Sequence, residues 1–394
     1  MNLRRCALVA LLALVPSSAG AQGGPPAPDL PSASAAILVD SRDGSVIFAK
    51  RPDARRPVAS TTKLMTALLA LEGAGPGEVF TAPPYNALAI ESKIDLRAGE
   101  RMRVDDLLEA LLLESANDAA VTIAEGVAGT REAFVEKMNA RARSLELENT
   151  SYANPIGLDD PANFSSARDL AILARRLLDK RRFAAVVDMP SASLESGDRP
   201  RVVANRNTLV SNYEFVEGVK TGHTLGAGYV LVGAASGRLG AQVISVVLGE
   251  PSEAARETDT LTLLRYGLAQ FRRVRALDRE KTLARAPVAH FESKVALRAK
   301  KDLFLVARRG QRVTTRIDSP KELEGELKAG TEVGAIDVVR AGRVVKRVAL
   351  VTAGPVPGAG LLRKATDGAA LPLVALLALA AGLALVAVRR RRPG

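Results

Sequence analysis

Hydrophobic and polar positions change rhythm several times along the chain, and each change marks an element. Ala36 to Lys50 alternates around Asp43-Gly44, which predicts two strands joined by a tight hairpin. From Ser60 the apolar residues recur at helical spacing. Leu64, Leu68 and Leu71 form one run, and Leu107, Leu108, Leu111 and Leu112 form a second that stops before Ser115. Ala119 to Val127 and Phe134 to Leu145 read as further helices, and Ser165 or Ser166 is placed to cap a helix over Asp169 to Leu178. After about residue 200 the apolar runs shorten and become β-branched. Gly228 to Ala235 and Ala241 to Leu248 read as strands around a turn at Ser236-Gly237, and Ala255 to Phe271 as a helix. Strands thus flank a helical block, which predicts an α+β domain over residues 35–272 whose sheet is left by the chain and rejoined.

The pattern changes again near Arg272. Lys294 to Leu297, Leu303 to Val306, Val313 to Ile317, Val333 to Arg340 and Val344 to Val351 are short alternating runs separated by turns such as Arg309-Gly310 and Ala341-Gly342. They predict a small all-β domain over residues 278–352. Residues 353–369, with Gly354 to Gly360 reading GPVPGAG, form a linker, and residues 22–34, rich in Pro, Ala and Ser, form a flexible lead-in.

The two ends are apolar for different reasons. Arg4 and Arg5 precede the run Ala7 to Val15, followed by Pro16 and the small-residue site Ala19-Gly20-Ala21, so residues 1–21 read as a secretory signal. Ala370 to Val388 is 19 residues without a charge, and Arg389 to Arg392 follow at once. As a helix that stretch is about 28 Å long, enough for a hydrocarbon core of about 30 Å, with the arginines of tail 389–394 staying inside. The ends predict a single-pass protein of the cell membrane whose folded body lies outside the cytoplasm.

Composition narrows the chemistry. The one cysteine, Cys6, lies in the leader, and the two histidines are His223 and His290. A disulfide framework, a cysteine nucleophile, and Cys- or His-rich metal sites are therefore excluded, and no cofactor is expected. The net charge of +12 includes six arginines in leader and tail. The rest reads as an interleaved, solvated surface. With aromatics at 4% and no Trp, stacking platforms for nucleic acid are poorly supplied, so no nucleic-acid partner is expected.

Three short motifs carry the chemistry: Ser60-Thr61-Thr62-Lys63, Ser115-Ala116-Asn117 and Lys220-Thr221-Gly222, each the only S-x-x-K, S-x-N and K-T-G in the chain. A serine hydroxyl needs a base to become a nucleophile. On a helix Lys63 shares a face with Ser60. A lysine of ordinary pKa is neutral in only about one molecule in 2,500 at pH 7, so burial or a second cation must depress it, and Lys220 is the candidate second cation. Ser115, at a break between helices, can relay a proton to the leaving group, and Asn117 can bridge Lys63 and the substrate amide. The K-T-G motif precedes a strand, where Gly222 lets a substrate backbone approach as an added strand would. The backbone N–H groups of Ser60 and His223 are assigned as oxyanion donors.

At these residues the sequence resembles the low-molecular-mass penicillin-binding proteins, the serine-type D-alanyl-D-alanine carboxypeptidases. The wider segments PVASTTKLMTALLALE, LLLESANDAAVTIAE, NPIGLDDPANFSSARDLA and VEGVKTGHTLGAGYVLV carry the resemblance, which runs from about Ala35 to Leu268 and less distinctly to Val351. It implies the β-lactamase/DD-peptidase-like transpeptidase fold, an antiparallel sheet plus a helical lobe, then the β domain and a transmembrane helix. It implies peptidoglycan stem peptides as substrate and β-lactams as inhibitors. Ser60 would be acylated with Lys63 as its base, Ser115 and Asn117 assisting, and Lys220 and Thr221 holding substrate. Arg256 lies where the family places a later arginine; it can bind the terminal carboxylate or pair with Glu253 or Asp259. Tyr152-Ala153-Asn154 competes for the second motif, but its setting before Pro155 and Gly157 reads as a loop. The family usually ends in an amphipathic helix lying on the membrane, whereas this chain reads as spanning it. A D,D-endopeptidase on cross-links and a β-lactamase are the alternatives. The β domain disfavours the first, and the spacing of Glu146-Leu147-Glu148-Asn149 the second.

Overall fold

The computed structural model describes residues 25–366 together with Leu379, Ala380 and Leu383. The leader, most of the apolar stretch 370–388 and the arginine tail lie outside the described residues. Among those described, no helix is long and apolar enough to cross a membrane. The chain divides into two compact units, one ending at Phe271 and the other beginning at Arg272.

The first unit opens with strands β1 (Ala35–Asp40) and β2 (Val46–Lys50), turning at Gly44 in left-handed conformation. A 3-10 turn, Ala59–Thr62, runs into helix α1 (Lys63–Gly73). A short hairpin of β3 (Val79–Thr81) and β4 (Arg101–Arg103) precedes α2 (Val104–Glu109), α3 (Asn117–Ala128), α4 (Arg131–Ser144), α5 (Ala167–Leu178) and α6 (Arg181–Val187). A second hairpin, β5 (Ser191–Leu194) with β6 (Arg201–Ala204), and the short helix α7 (Thr208–Asn212) lead back to the sheet. There β7 (Val216–Thr224), β8 (Gly228–Ser236) and β9 (Gln242–Glu250) complete an antiparallel five-stranded sheet in the order β2-β1-β9-β8-β7, and α8 (Glu253–Ala269) packs on it. One apolar core joins sheet and helices: Ile37, Val232 and Val246 meet Leu64, Leu68, Leu111 and Ile123. Burial of that scale, at about 25 cal/mol per Å2 of apolar surface, is what holds the lobe on the sheet.

Strand β10 (Phe271–Leu277) begins at the boundary, and the second unit continues with β11 (Thr282–Val288), β12 (Phe291–Ala299), β13 (Leu303–Arg308), β14 (Val313–Asp318), β15 (Glu332–Arg340) and β16 (Arg343–Thr352), then α9 (Leu361–Thr366). Five of its strands form a sheet in the order β11-β12-β16-β15-β14, while β10 pairs with β13. Leu297, Ile336, Val338 and Leu350 centre a core of its own.

Several expectations need correction. The lead-in is not loose to its end: Leu30 and Ala33 are buried, and the Ser34 N–H donates to Leu248 O at 2.8 Å, because an apolar residue beside a sheet edge finds a place to bury. The helix ends at Ala269, since Phe271 opens a strand of alternating exposure. Of the two serines expected to cap α5, Ser166 does so, accepting from the Asp169 N–H at 3.1 Å as expected, while Ser165 pairs with Thr150. The linker starts later than its glycines suggest. Val356 is buried in the β core and its backbone pairs with Leu327, so the apolar side chain between two prolines is drawn inward. The K-T-G motif lies within strand β7 rather than before a strand, on the outer edge of the sheet.

Candidate active site

Ser60 stands in the 3-10 turn that starts α1, behind Ala59, whose φ of 47° is left-handed. The turn is tight because the facing segments press on it. A Cβ on Gly157 would lie 2.0 Å from Ala59 O, and a Cβ on Gly222 would lie 2.9 Å from Ser60 N. Gly157 also has φ +91°, so glycine is required there on both counts. Strand β7 and the loop after Asn154 can thus approach Ser60 only because both positions lack a side chain.

One helical turn along, Lys63 is fully buried. Its Nζ donates to Ser60 Oγ at 2.9 Å and to Ile156 O at 2.8 Å. Burial holds its pKa well below the ordinary lysine value, and the nearby Lys220 ammonium pushes it the same way; Glu91 and Asp118 oppose both. A neutral Lys63 has a lone pair to accept the Ser60 proton. Lys220 is buried as well, with Nζ donating to Thr221 O at 3.1 Å. Its pKa falls to about 7, through burial first and then Arg206 and Arg256, with Glu114 opposing.

The second motif sits where the helical run breaks. A π-helical turn, Ala110–Glu114, is stopped by Ser115 in left-handed conformation, φ 64° and ψ 30°. Ser115 Oγ is buried and has no hydrogen-bond partner among the described residues. The fold thus commits this hydroxyl to no other protein group among the described residues. Asn117 opens α3. Its Nδ2 donates to Glu91 Oε2 at 2.6 Å, and that carboxylate also accepts from the Tyr85 hydroxyl.

The remaining expected residues fall on or near β7. Thr221 and Gly222 are buried, and His223 is exposed and stacks on Tyr229 with ring centroids 4.0 Å apart. Arg256 is buried beneath that pair, 5.9 Å from the Tyr229 centroid, and bonds Glu253 at 2.6 Å and Glu257 at 3.5 Å. No ion pair with Asp259 forms. Tyr152 and Asn154 hold the loop instead of serving the second motif. Tyr152 is buried in the helical core, and Asn154 Oδ1 accepts from the Gly157 N–H at 2.7 Å and the Leu158 N–H at 3.1 Å. That turn aims Ile156 O at Lys63. Sequence reasoning missed Ile156, because a backbone carbonyl has no residue signature. It missed Glu91 and Tyr85 because they reach Asn117 from a loop far off in sequence. Ser60 and Lys63 are therefore in contact beside the β7 edge, with Asn117 linked to the surroundings of Lys63 through Glu91, an arrangement in which a buried amine can deprotonate a serine next to a sheet edge.

Comparison with known proteins agrees with this geometry. The profile of the Peptidase S11 family, described as D-alanyl-D-alanine carboxypeptidase, matches residues 24–252. That of the penicillin-binding protein 5 C-terminal domain matches residues 271–357. D-alanyl-D-alanine carboxypeptidase DacF of Bacillus subtilis is 30% identical over 348 residues, covering 86% of this chain and 89% of that protein. A D-alanyl-D-alanine carboxypeptidase of Streptomyces sp. strain K15 is 31% identical and aligns along 100% of its length with 68% of this chain. Among solved structures, penicillin binding protein 5 from Haemophilus influenzae superposes with a TM-score of 0.60 at 29% identity, over 85% of this chain and 100% of that one.

Proposed function

The chain belongs to the Peptidase S11 family of D-alanyl-D-alanine carboxypeptidases, and from that premise we propose that Ser60 is the nucleophile with which it removes the terminal D-Ala of peptidoglycan stem peptides. Lys63 takes the Ser60 proton as Oγ attacks the carbonyl carbon of the penultimate D-Ala. The Ser60 and His223 N–H groups receive the oxyanion. The C–N bond breaks, Ser115 passes a proton to the departing D-Ala amine, and water then hydrolyses the ester and regenerates Ser60. Lys220 and Thr221 hold the substrate carboxylate end, and Gly222 lets the peptide lie along the β7 edge. Asn117 orients the scissile amide. Arg256 acts on substrate through its field and through Tyr229; its Nη2 already serves Glu253 and Glu257.

The observation that carries this reading is the 2.9 Å contact between a buried lysine amine and Ser60 Oγ. β-Lactams mimic the scissile amide and should acylate the same oxygen. Intact mass spectrometry after benzylpenicillin is expected to show one adduct, mapped to the peptide containing Ser60. A Ser60→Ala variant that still takes the adduct would overturn the assignment.

The leader and the apolar stretch 370–388 support export and a single C-terminal membrane anchor, with the site on the outer face. Membranes washed in alkaline carbonate should retain the full chain and release one ended after Thr366; release of both would refute an anchor.

A further inference from the structure

Asn117 is gripped by a loop as well as by its own helix. Residues 83–96 run past the start of α3 and are tied to it four times. The Asn117 N–H donates to Ser92 O at 2.8 Å, the Ile94 and Leu96 N–H groups donate to the Asp118 carboxylate, the latter at 2.9 Å, and Asn117 Nδ2 donates to Glu91 Oε2 at 2.6 Å. Glu91 is itself held: its Oε1 accepts from the Leu88 N–H at 2.9 Å and its Oε2 from the Tyr85 hydroxyl, with Arg131 lying 5.5 Å over the Tyr85 ring. A carboxylate can only accept, so the side-chain amide of Asn117 must turn its nitrogen to Glu91. Its oxygen and its second N–H are then left for Lys63 and the substrate.

We propose that Glu91 is a positioning residue for catalysis: its carboxylate fixes which end of the Asn117 amide faces the reacting groups, and its negative charge counters the positive charge of Lys220 at Lys63. The proposal rests on the reading of Ser60 and Lys63 as nucleophile and base. The groups facing Lys63 are Lys220, Glu91 and Asp118, and those facing Glu91 are Tyr85, Asn117 and Lys63. Burial pushes the Glu91 carboxyl up, but the hydrogen bonds from Tyr85 and Asn117 outweigh it, so Glu91 stays ionised and favours a protonated Lys63. Lys220 favours the neutral form. Glu91 and Lys220 thus bracket the base from opposite sides of the charge scale.

The test uses the full chain with Glu91→Ala and Glu91→Gln, following the second-order rate of benzylpenicillin acylation against pH and the thermal midpoint. Glu91→Ala should acylate roughly 10- to 100-fold more slowly, the range for a lost preorganising group, with little change in midpoint. Glu91→Gln should recover much of that loss, since its carbonyl oxygen can still accept from Asn117. Its acid limb should move to lower pH than in the native chain, because the anion that favours protonated Lys63 is gone. The proposal fails if Glu91→Ala stays within threefold of native, if Glu91→Gln is no better than Glu91→Ala, or if the acid limb does not move. Should Glu91→Ala not fold, the limb of Glu91→Gln decides alone. Failure of the native chain to be acylated would instead overturn the reading of the site itself.

Discussion

Two lysine amines lie buried at the same cleft, an arrangement that folding alone disfavours. Each must shed charge or face a second cation in low dielectric, and that conflict favours the neutral form of Lys63 that its proposed role as base requires. The linkage has a definite sign. The folded pKa of Lys220 is about 7 against an ordinary 10.5, so between those values the unfolded chain binds the extra proton. The penalty for burying Lys220 is therefore full below about pH 7 and fades as pH rises toward 10.5. Comparing native and Lys220→Met chains by urea unfolding, the native chain should gain on the variant by about 1 kcal/mol per pH unit between pH 8 and 9.5. A gap that stays flat would show that Lys220 is charged throughout. At this scale the sequence was legible wherever a side chain does the work. Ser60, Lys63 and Lys220 announce themselves by type and spacing. Ile156 contributes a carbonyl, and Glu91 is 26 residues from Asn117, so neither left a local pattern to read.

Elements set the distances that those side chains exploit. The start of α1, the break at Ser115 and the edge of β7 are three separate pieces, and Gly222 decides how closely two of them meet. Adding a Cβ there would bring it within 2.9 Å of Ser60 N, 3.1 Å of Ala59 Cβ and 2.8 Å of Val230. One contact is backbone, so β7 must move away from Ser60. Gly222→Ala should slow benzylpenicillin acylation about 100-fold, the usual cost of a misplaced oxyanion donor, while the rest of the sheet keeps the chain folded. An acylation rate within threefold of native, measured by stopped-flow or gel labelling, would show that the strand has slack. Helices were legible because α1 and α3 to α5 have long apolar periods ended by caps or glycines. Strands were harder. Thr282–Val288 carries two arginine-flanked alanines and a proline, Pro287, and gives too weak an alternation to stand out, yet it pairs with Phe291–Ala299. The K-T-G strand was displaced in the reading because Gly218 and Gly222 interrupt the β-branched run that usually marks a strand.

At the scale of the whole chain, a net charge of +12 conceals a division that an average cannot show. Residues 25–271 carry 27 Lys and Arg against 32 Asp and Glu, whereas residues 272–360 carry 20 against 10. The charges are interleaved within each unit, but the excess of cations belongs to the β unit, so the basic character says nothing about the surroundings of Ser60. The cores divide in the same way: the apolar cluster around Leu64 and Val246 closes without a residue beyond Phe271, and the cluster around Ile336 and Leu350 closes without one before Ala276. A unit that completes its own core, at the size of the first, has enough buried surface to fold alone. Every group assigned to acylation, from Ser60 to Arg256, lies in that unit. A chain ended after Phe271 should therefore fold cooperatively and be acylated by benzylpenicillin at a rate within about threefold of the full chain, with circular dichroism confirming native helix content. If that shortened chain is folded yet labels more than tenfold slower, the β unit contributes to the site, and the independence argued from the two cores is wrong.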